Sequence, residues 1–273
     1  MEALLYILLF ILGACIGSFL CCQARRLHLR QGKTKKSLPS RSICLSCKTQ
    51  LKWYDNLPII SWLALRGKCR KCHHQIGLAE FLSEPTLAFA FLALGLSLKF
   101  GTAATLLELT NSSPLFWAYF VAIFIFTTSI AFLAIYDGLY GELPVKYLTL
   151  SIICGIIVLC LKEWLTLSIS PFTPNLIWEP LAAVAILGGL YLALYLVSKG
   201  KWVGDGDWLL GTAIGLALGT PWLALLALFI ANLLACLIMA PAAFKRKKSQ
   251  IYFGPFLAIA FMIVYSFCAI ITI

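Results

Sequence analysis

Long apolar runs separated by short polar stretches dominate the chain. They fall at about 4–22, 82–98, 115–136, 147–161, 181–198, 208–219, 222–240 and 251–273. Lipid cannot satisfy free backbone groups, so each run is predicted to be a helix. Two of them, 147–161 and 208–219, fall short of the ~20 residues that a spanning helix needs. The second carries Gly211, Gly215 and Gly219 on one face and stops at Pro221. Such a face allows close helix contact, so a short helix could pack inside a bundle. The first run follows only Met1-Glu2 and leads into Arg25-Arg26 instead of a small-residue cleavage site. It is therefore expected to be retained as a transmembrane helix. The pattern predicts an all-α, polytopic membrane helix bundle of about eight transmembrane helices.

Composition points the same way: 61% of the 273 residues are hydrophobic and 12% charged, with a mean hydropathy of +0.92. A soluble domain carries about a quarter charged residues. The net charge of +11 could suggest nucleic acid. Its distribution instead fits a lipid partner and the rule that cytoplasmic loops are positive. With Met1 outside and eight crossings, 20 of the 22 Lys and Arg fall inside, leaving Lys99 and Lys162. If 208–219 did not cross, Lys245-Arg246-Lys247-Lys248 would lie outside. Both termini are thus expected outside and the polar segment 23–81 in the cytoplasm. The implied organisation is a first helix (1–22), a polar insert (23–81) and a transmembrane domain (82–273).

Seven of the eleven cysteines sit in apolar runs, where cysteine behaves as a small hydrophobe. The other four form Cys44-Leu45-Ser46-Cys47 and Cys69-Arg70-Lys71-Cys72. Two C-x-x-C pairs so spaced can surround one tetrahedral Zn²⁺. Such a staple suits an insert too small for a self-sufficient core. Lys48, Lys68, Arg70 and Lys71 would favour the thiolates. A redox pair is the alternative, and a cytoplasmic location disfavours two disulfides. Four thiolates leave no open position, so the zinc would be structural, with His73 and His74 as solvated neighbours. Trp53, Tyr54 and Trp62 between the knuckles read equally as an interfacial aromatic belt.

Acidic residues at bilayer depth cost about 2.5–3.5 kcal/mol each on insertion scales. Asp137 closes one apolar run, and Asp205 and Asp207 open another in Gly204-Asp205-Gly206-Asp207. Both places are expected at cytoplasmic helix ends, where the two carboxylates can meet. Two adjoining carboxylates do not both ionise cheaply, so one keeps a proton. An ionised member can then activate water while a protonated one polarises a peptide carbonyl. The same residues could equally be loop-end aspartates or, for Asp207, a helix N-cap. Glu80, Glu84 and Glu142 are further interfacial acids with a structural default.

These residues together resemble the type IV prepilin peptidase family of GxGD aspartyl proteases. The likeness runs through Gly17-Ser18-Phe19 with Arg25-Arg26, the stretch from Ser42 to Cys72, and Glu84 near the second helix. It continues through Asp137 with Pro144, and Gly204-x-Gly206-Asp207 with Gly215. It implies that Asp137 and Asp207 are catalytic and that Asp205 fills a variable position. Val145 and Leu209 depart from the family, which often has an acid and a lysine there. Members cut the basic leader of prepilins and pseudopilins after a glycine, at the cytoplasmic face of the bacterial inner membrane. Those with the cysteine insert commonly N-methylate the new terminal residue, usually Phe, from S-adenosylmethionine. The resemblance names no residue of this chain for that cofactor.

Two other readings compete. A cleavage-only peptidase would generally lack the four-cysteine insert. A transport or assembly protein could use Asp137 and Asp207 along an ion path. Such a protein should show paired repeats, and no internal repeat is evident.

Overall fold

The computed structural model describes residues 2–31, 42–44, 46–100, 114–169, 177–201, 203–245 and 252–271. Among these, the only strand-like pairing is two isolated bridges, and the rest of the regular structure is helical. The apolar runs become α1 (Glu2–Gln31), α3 (Leu78–Phe100), α4 (Pro114–Tyr140) and α5 (Val145–Ile169). They continue as α6 (Trp178–Ser198), α7 (Asp207–Leu218), α8 (Pro221–Lys245) and α9 (Gly254–Ile271). A short α2 (Ile60–Ala64) lies in the polar insert. Among the described residues six helices are long and apolar enough to cross a membrane, and the apolar stretches Asp207–Leu218 and Gly254–Phe267 are shorter. The chain is an all-α, multi-pass membrane protein.

Several boundaries differ from the sequence pattern. Helix α1 runs to Gln31, past the expected end at 22, because Gln23 to Gln31 contains neither Gly nor Pro. Helix α5 covers 25 residues, so the run expected to be short can span. Gly219 is not part of a packing face. It ends α7 with φ +70°, and its N–H donates to Gly215 O at 3.0 Å. Glycine takes that backbone region without a Cβ penalty. The basic stretch Arg246–Lys248 lies outside the described residues.

The chain divides into two compact units, Met1–Gly95 and Leu96–Ile273. In the first, α1 packs on α3 through Gly13 and Gly17. A Cβ at either would press on the backbone at Ala88 or Glu84, within about 3.0 Å. Arg25 on α1 forms an ion pair with Glu80 on α3.

In the second unit α7 is the central element. Eight of its twelve residues are buried, including Asp207, Leu210, Gly211, Ile214 and Gly215. A Cβ at Gly211 would lie 2.8 Å from Leu187 O, and one at Gly215 would lie 2.9 Å from Ala183 O. Helices α6 and α7 are therefore antiparallel and nearly in backbone contact. On another side Gly155 of α5 sits against Ala213 O, and Lys162 Nζ donates to Leu218 O at 2.8 Å. Phe126, Ile130, Leu133 and Phe261 from α4 and α9 complete the buried core. Trp117, Val121, Ile125, Phe229 and Leu237 face outward. So broad an apolar exterior suits lipid and not water.

Candidate active site and metal centre

Asp137 lies three residues before the end of α4, and Asp207 is the first residue of α7. Both are buried, at 5% and 6% exposure. Asp137 Oδ2 accepts a hydrogen bond from the Gly254 N–H at 2.9 Å, at the start of α9. Asp207 Oδ2 accepts one from the Gly204 N–H, also at 2.9 Å. The two carboxylates are close enough to repel each other electrostatically. Three chain reversals meet here: the end of α4, the α6–α7 loop and the start of α9. Asp205, one residue along the same loop, is exposed, as is Glu142.

Glycines shape this site by close approach. A Cβ at Gly254 would lie 2.8 Å from Asp137 Oδ2 and 3.2 Å from its Cβ and Cγ. A Cβ at Gly206 would strike the Leu143 side chain at about 2.5 Å. The Gly141 N–H donates to Asp137 O at 2.7 Å, and its φ of +68° turns the chain off α4. Gly204 and Gly206 belong to a recognisable motif, but Gly254 does not. Its contact with Asp137 spans 117 residues of sequence, and no local signal announces it.

The four insert cysteines come together. Their Sγ atoms all lie within 4.8 Å of one another, and Cys44 Sγ is 3.8 Å from Cys72 Sγ. A tetrahedron with Zn–S bonds of about 2.3 Å has an edge of about 3.8 Å. The donor set therefore fits one Zn²⁺. The two knuckles repeat each other. Cys44 N–H donates to Thr49 O and Cys69 N–H to His74 O, each at 2.9 Å. Lys48 and His73, with φ of 55° and 53°, donate back to Cys44 O and Cys69 O.

Hydrogen bonds from Thr49 bring the Cys47 thiol down to about 6. Backbone N–H groups of Cys72 and Lys71 lower Cys69. At Cys44 the backbone of Cys47 also lowers the thiol, but burial and the neighbouring Cys69 and Cys47 outweigh it and raise it to about 11. Thiolates so crowded all form together only beside a compensating cation. Arg70, one residue from Cys69, is held by other groups. Its Nε donates to Asp55 Oδ1 at 2.9 Å, and its guanidinium lies over the Tyr54 ring. His73 and His74 are exposed.

Trp62 belongs to the insert's packing, stacked on Phe81 with ring centroids 4.1 Å apart, and Trp53 is exposed. Glu84 does not open α3. Its Oε2 accepts from the Ile59 N–H at 2.6 Å, steadying a strained turn with Ile59 at φ +63°. A cavity of about 330 Å³ beside the second knuckle is lined by Arg66, Lys68, Arg70 and His73. That basic lining is a poor match for a sulfonium cation.

The Bacterial Peptidase A24 N-terminal domain matches residues 11–98. The prepilin leader peptidase/N-methyltransferase of Myxococcus xanthus is 40% identical over 87 residues, 32% of this chain but only 25% of that protein's length. Its namesake in Aeromonas hydrophila is 30% identical over 227 residues, covering 81% of this chain and 69% of that protein. The one in Bacillus subtilis is 28% identical over 263 residues, covering 94% and 92%. No solved structure matches the chain. Matches of this extent, running through both the cysteine insert and the paired aspartates, mean that the chain belongs to the prepilin leader peptidase/N-methyltransferase family.

Proposed function

We propose that the protein is an aspartyl endopeptidase of the bacterial inner membrane. It cuts the basic leader from type IV prepilin-like proteins after glycine, at the cytoplasmic face. Asp137 and Asp207 are the catalytic pair. One observation carries this reading: two buried carboxylates, each held by a glycine N–H, approach each other inside an apolar bundle. A pair of this kind shares a proton, because two adjoining charges at low dielectric are costly. The ionised carboxylate takes a proton from water as the water oxygen bonds to the scissile carbonyl carbon. The protonated carboxylate gives its proton to the carbonyl oxygen, forming a neutral diol. As the C–N bond breaks, the leaving nitrogen takes up a proton, and the diol returns one to the pair. The glycine N–H donors keep both carboxylates in place throughout.

The four cysteines would hold a structural zinc, which makes the insert rigid and leaves no position open for substrate. N-methylation of the new terminal residue, usually Phe, from S-adenosylmethionine is proposed on the names of the relatives and the presence of the insert.

Mass spectrometry of a co-expressed prepilin reads both activities from one new terminus. Asp137→Asn and Asp207→Asn should each lower cleavage by at least about a thousandfold while the protein still inserts, since either change removes the shared proton. Asp205→Asn, on an exposed side chain, should cleave within about threefold of wild type, as surface changes away from such features usually do. Robust cleavage by either of the first two variants rejects the pair.

A further inference from the structure

The register between α6 and α7 extends to a residue that sequence reasoning passed over. Gly215 lies against Ala183 O and Gly211 against Leu187 O, with the chains antiparallel. One further turn along that register sets Tyr191 beside Asp207. The Asp207 charge acts on the Tyr191 phenol, which fits that placement. The ring of Tyr191 also packs on Phe253, with centroids 5.2 Å apart. Phe253 precedes Gly254, whose N–H holds Asp137. Tyr191 thus lies beside one carboxylate and packs on the residue that precedes the support of the other.

Its side chain is only 3% exposed, yet its hydroxyl has no hydrogen-bond partner. Asn232 lies nearby but outside hydrogen-bonding geometry, and its own Nδ2 donates to Leu228 O. A buried unmet hydroxyl costs about 1–3 kcal/mol, more where surrounding lipid offers nothing. Tyr191 also lies two residues past the π-helical turn Ala185–Gly189. Such turns widen a helix locally and recur at functional sites.

We propose that Tyr191 is a third catalytic residue, whose hydroxyl donates a hydrogen bond to the carbonyl oxygen of the scissile peptide. A peptide between the carboxylates presents a carbonyl oxygen, which can accept from the free O–H. As the carbonyl carbon becomes tetrahedral its oxygen gains charge, so the bond strengthens toward the transition state. This role rests on the peptidase reading above.

The test is Tyr191→Phe, which keeps the ring on Phe253 and removes only the oxygen. The probe is a synthetic peptide with a basic leader, the Gly-Phe junction and a short apolar tail, with protein in detergent micelles. The variant should keep the wild-type unfolding temperature and a KM within about threefold, while kcat falls about 10²-fold, the usual loss for one such donor. A purely structural tyrosine would lose stability or leave kcat alone. Wild-type kcat in Tyr191→Phe overturns the proposal, even if Asp137→Asn and Asp207→Asn are inactive and the peptidase reading stands. If those aspartate variants cleave while Tyr191→Phe does not, the pair is wrong and Tyr191 keeps its part in the reaction. A wild-type protein that leaves the peptide intact rejects both.

Discussion

At the scale of single residues, the candidate site depends on what glycine permits. Asp137 is held by an N–H that reaches it because Gly254 has no side chain. Gly254→Ala would put a methyl group 2.8 Å from Asp137 Oδ2, and the carboxylate would have to swing away. Misplacing a reacting group by about 1 Å can cost about 10² in rate. Cleavage by Gly254→Ala should fall by about that factor with the protein still folded. Gly138→Ala is the control, because its methyl would meet only Pro255 Cγ at 3.5 Å, an ordinary contact. It should cleave at the wild-type rate in the same kinetic assay. Equal losses in both variants would mean that the effect is general crowding and not the Asp137 carboxylate.

At the scale of elements, two small structures are held by opposite means. The zinc knuckles rely on a cation, since the insert has little core of its own. Replacing Cys72 by Ser should lower zinc content, read by metal analysis, and loosen the insert, read by hydrogen exchange. Metal binding in such sites is folding free energy. Because α4 and α7 carry the proposed carboxylates, Cys72→Ser should reduce N-methylation more than cleavage on the same prepilin. Equal loss of both would make the insert a general support. Helix α7 relies instead on backbone contact with α6. Gly211→Ala would set a methyl 2.8 Å from Leu187 O, part of a backbone that cannot turn aside. Overpacking of this kind costs about 1–3 kcal/mol, and the unfolding temperature in detergent should drop. Gly189→Ala would meet only Ala185 Cβ at 3.9 Å and should leave it unchanged.

What was legible in the sequence follows from how local each signal is. The apolar runs gave one helix each because bilayer depth allows little else. The paired C-x-x-C spacing brought four thiols together because each knuckle is a local turn. Asp207 stood apart from Asp205 only through motif resemblance, and burial now separates them physically. Gly254 and Tyr191 were not legible. Each acts through packing between helices distant in sequence, and neither lies in a pattern with a period. The pairing of Arg70 with Asp55 was not legible for the same reason, since Asp55 comes from the turn between the knuckles.

At the scale of the whole molecule, the open matter is how a twelve-residue helix serves a bundle that spans a bilayer. Helix α7 is about 18 Å long at 1.5 Å per residue, against a hydrocarbon core of about 30 Å. Its ends nevertheless lie well apart along the second unit. Asp207 lies at the end where α4 finishes and α9 begins, and Leu218 O meets Lys162 seventeen residues into α5. The chain therefore reverses direction on each side of α7. A helix shorter than the core is tolerable where the backbone beyond it is enclosed by protein and not by lipid. This fits a crossing by α7, which would leave the end of α9 on the side opposite the aspartates. Reporter fusions after Lys36 and Lys248 should both give a cytoplasmic signal, and one after Thr173 should give the opposite. A periplasmic signal after Lys248 would mean that the chain enters and leaves α7 on one side. The basic residues Arg246 to Lys248 would then stand against the usual charge bias, and the proposed cytoplasmic placement of the site would lose its support from topology.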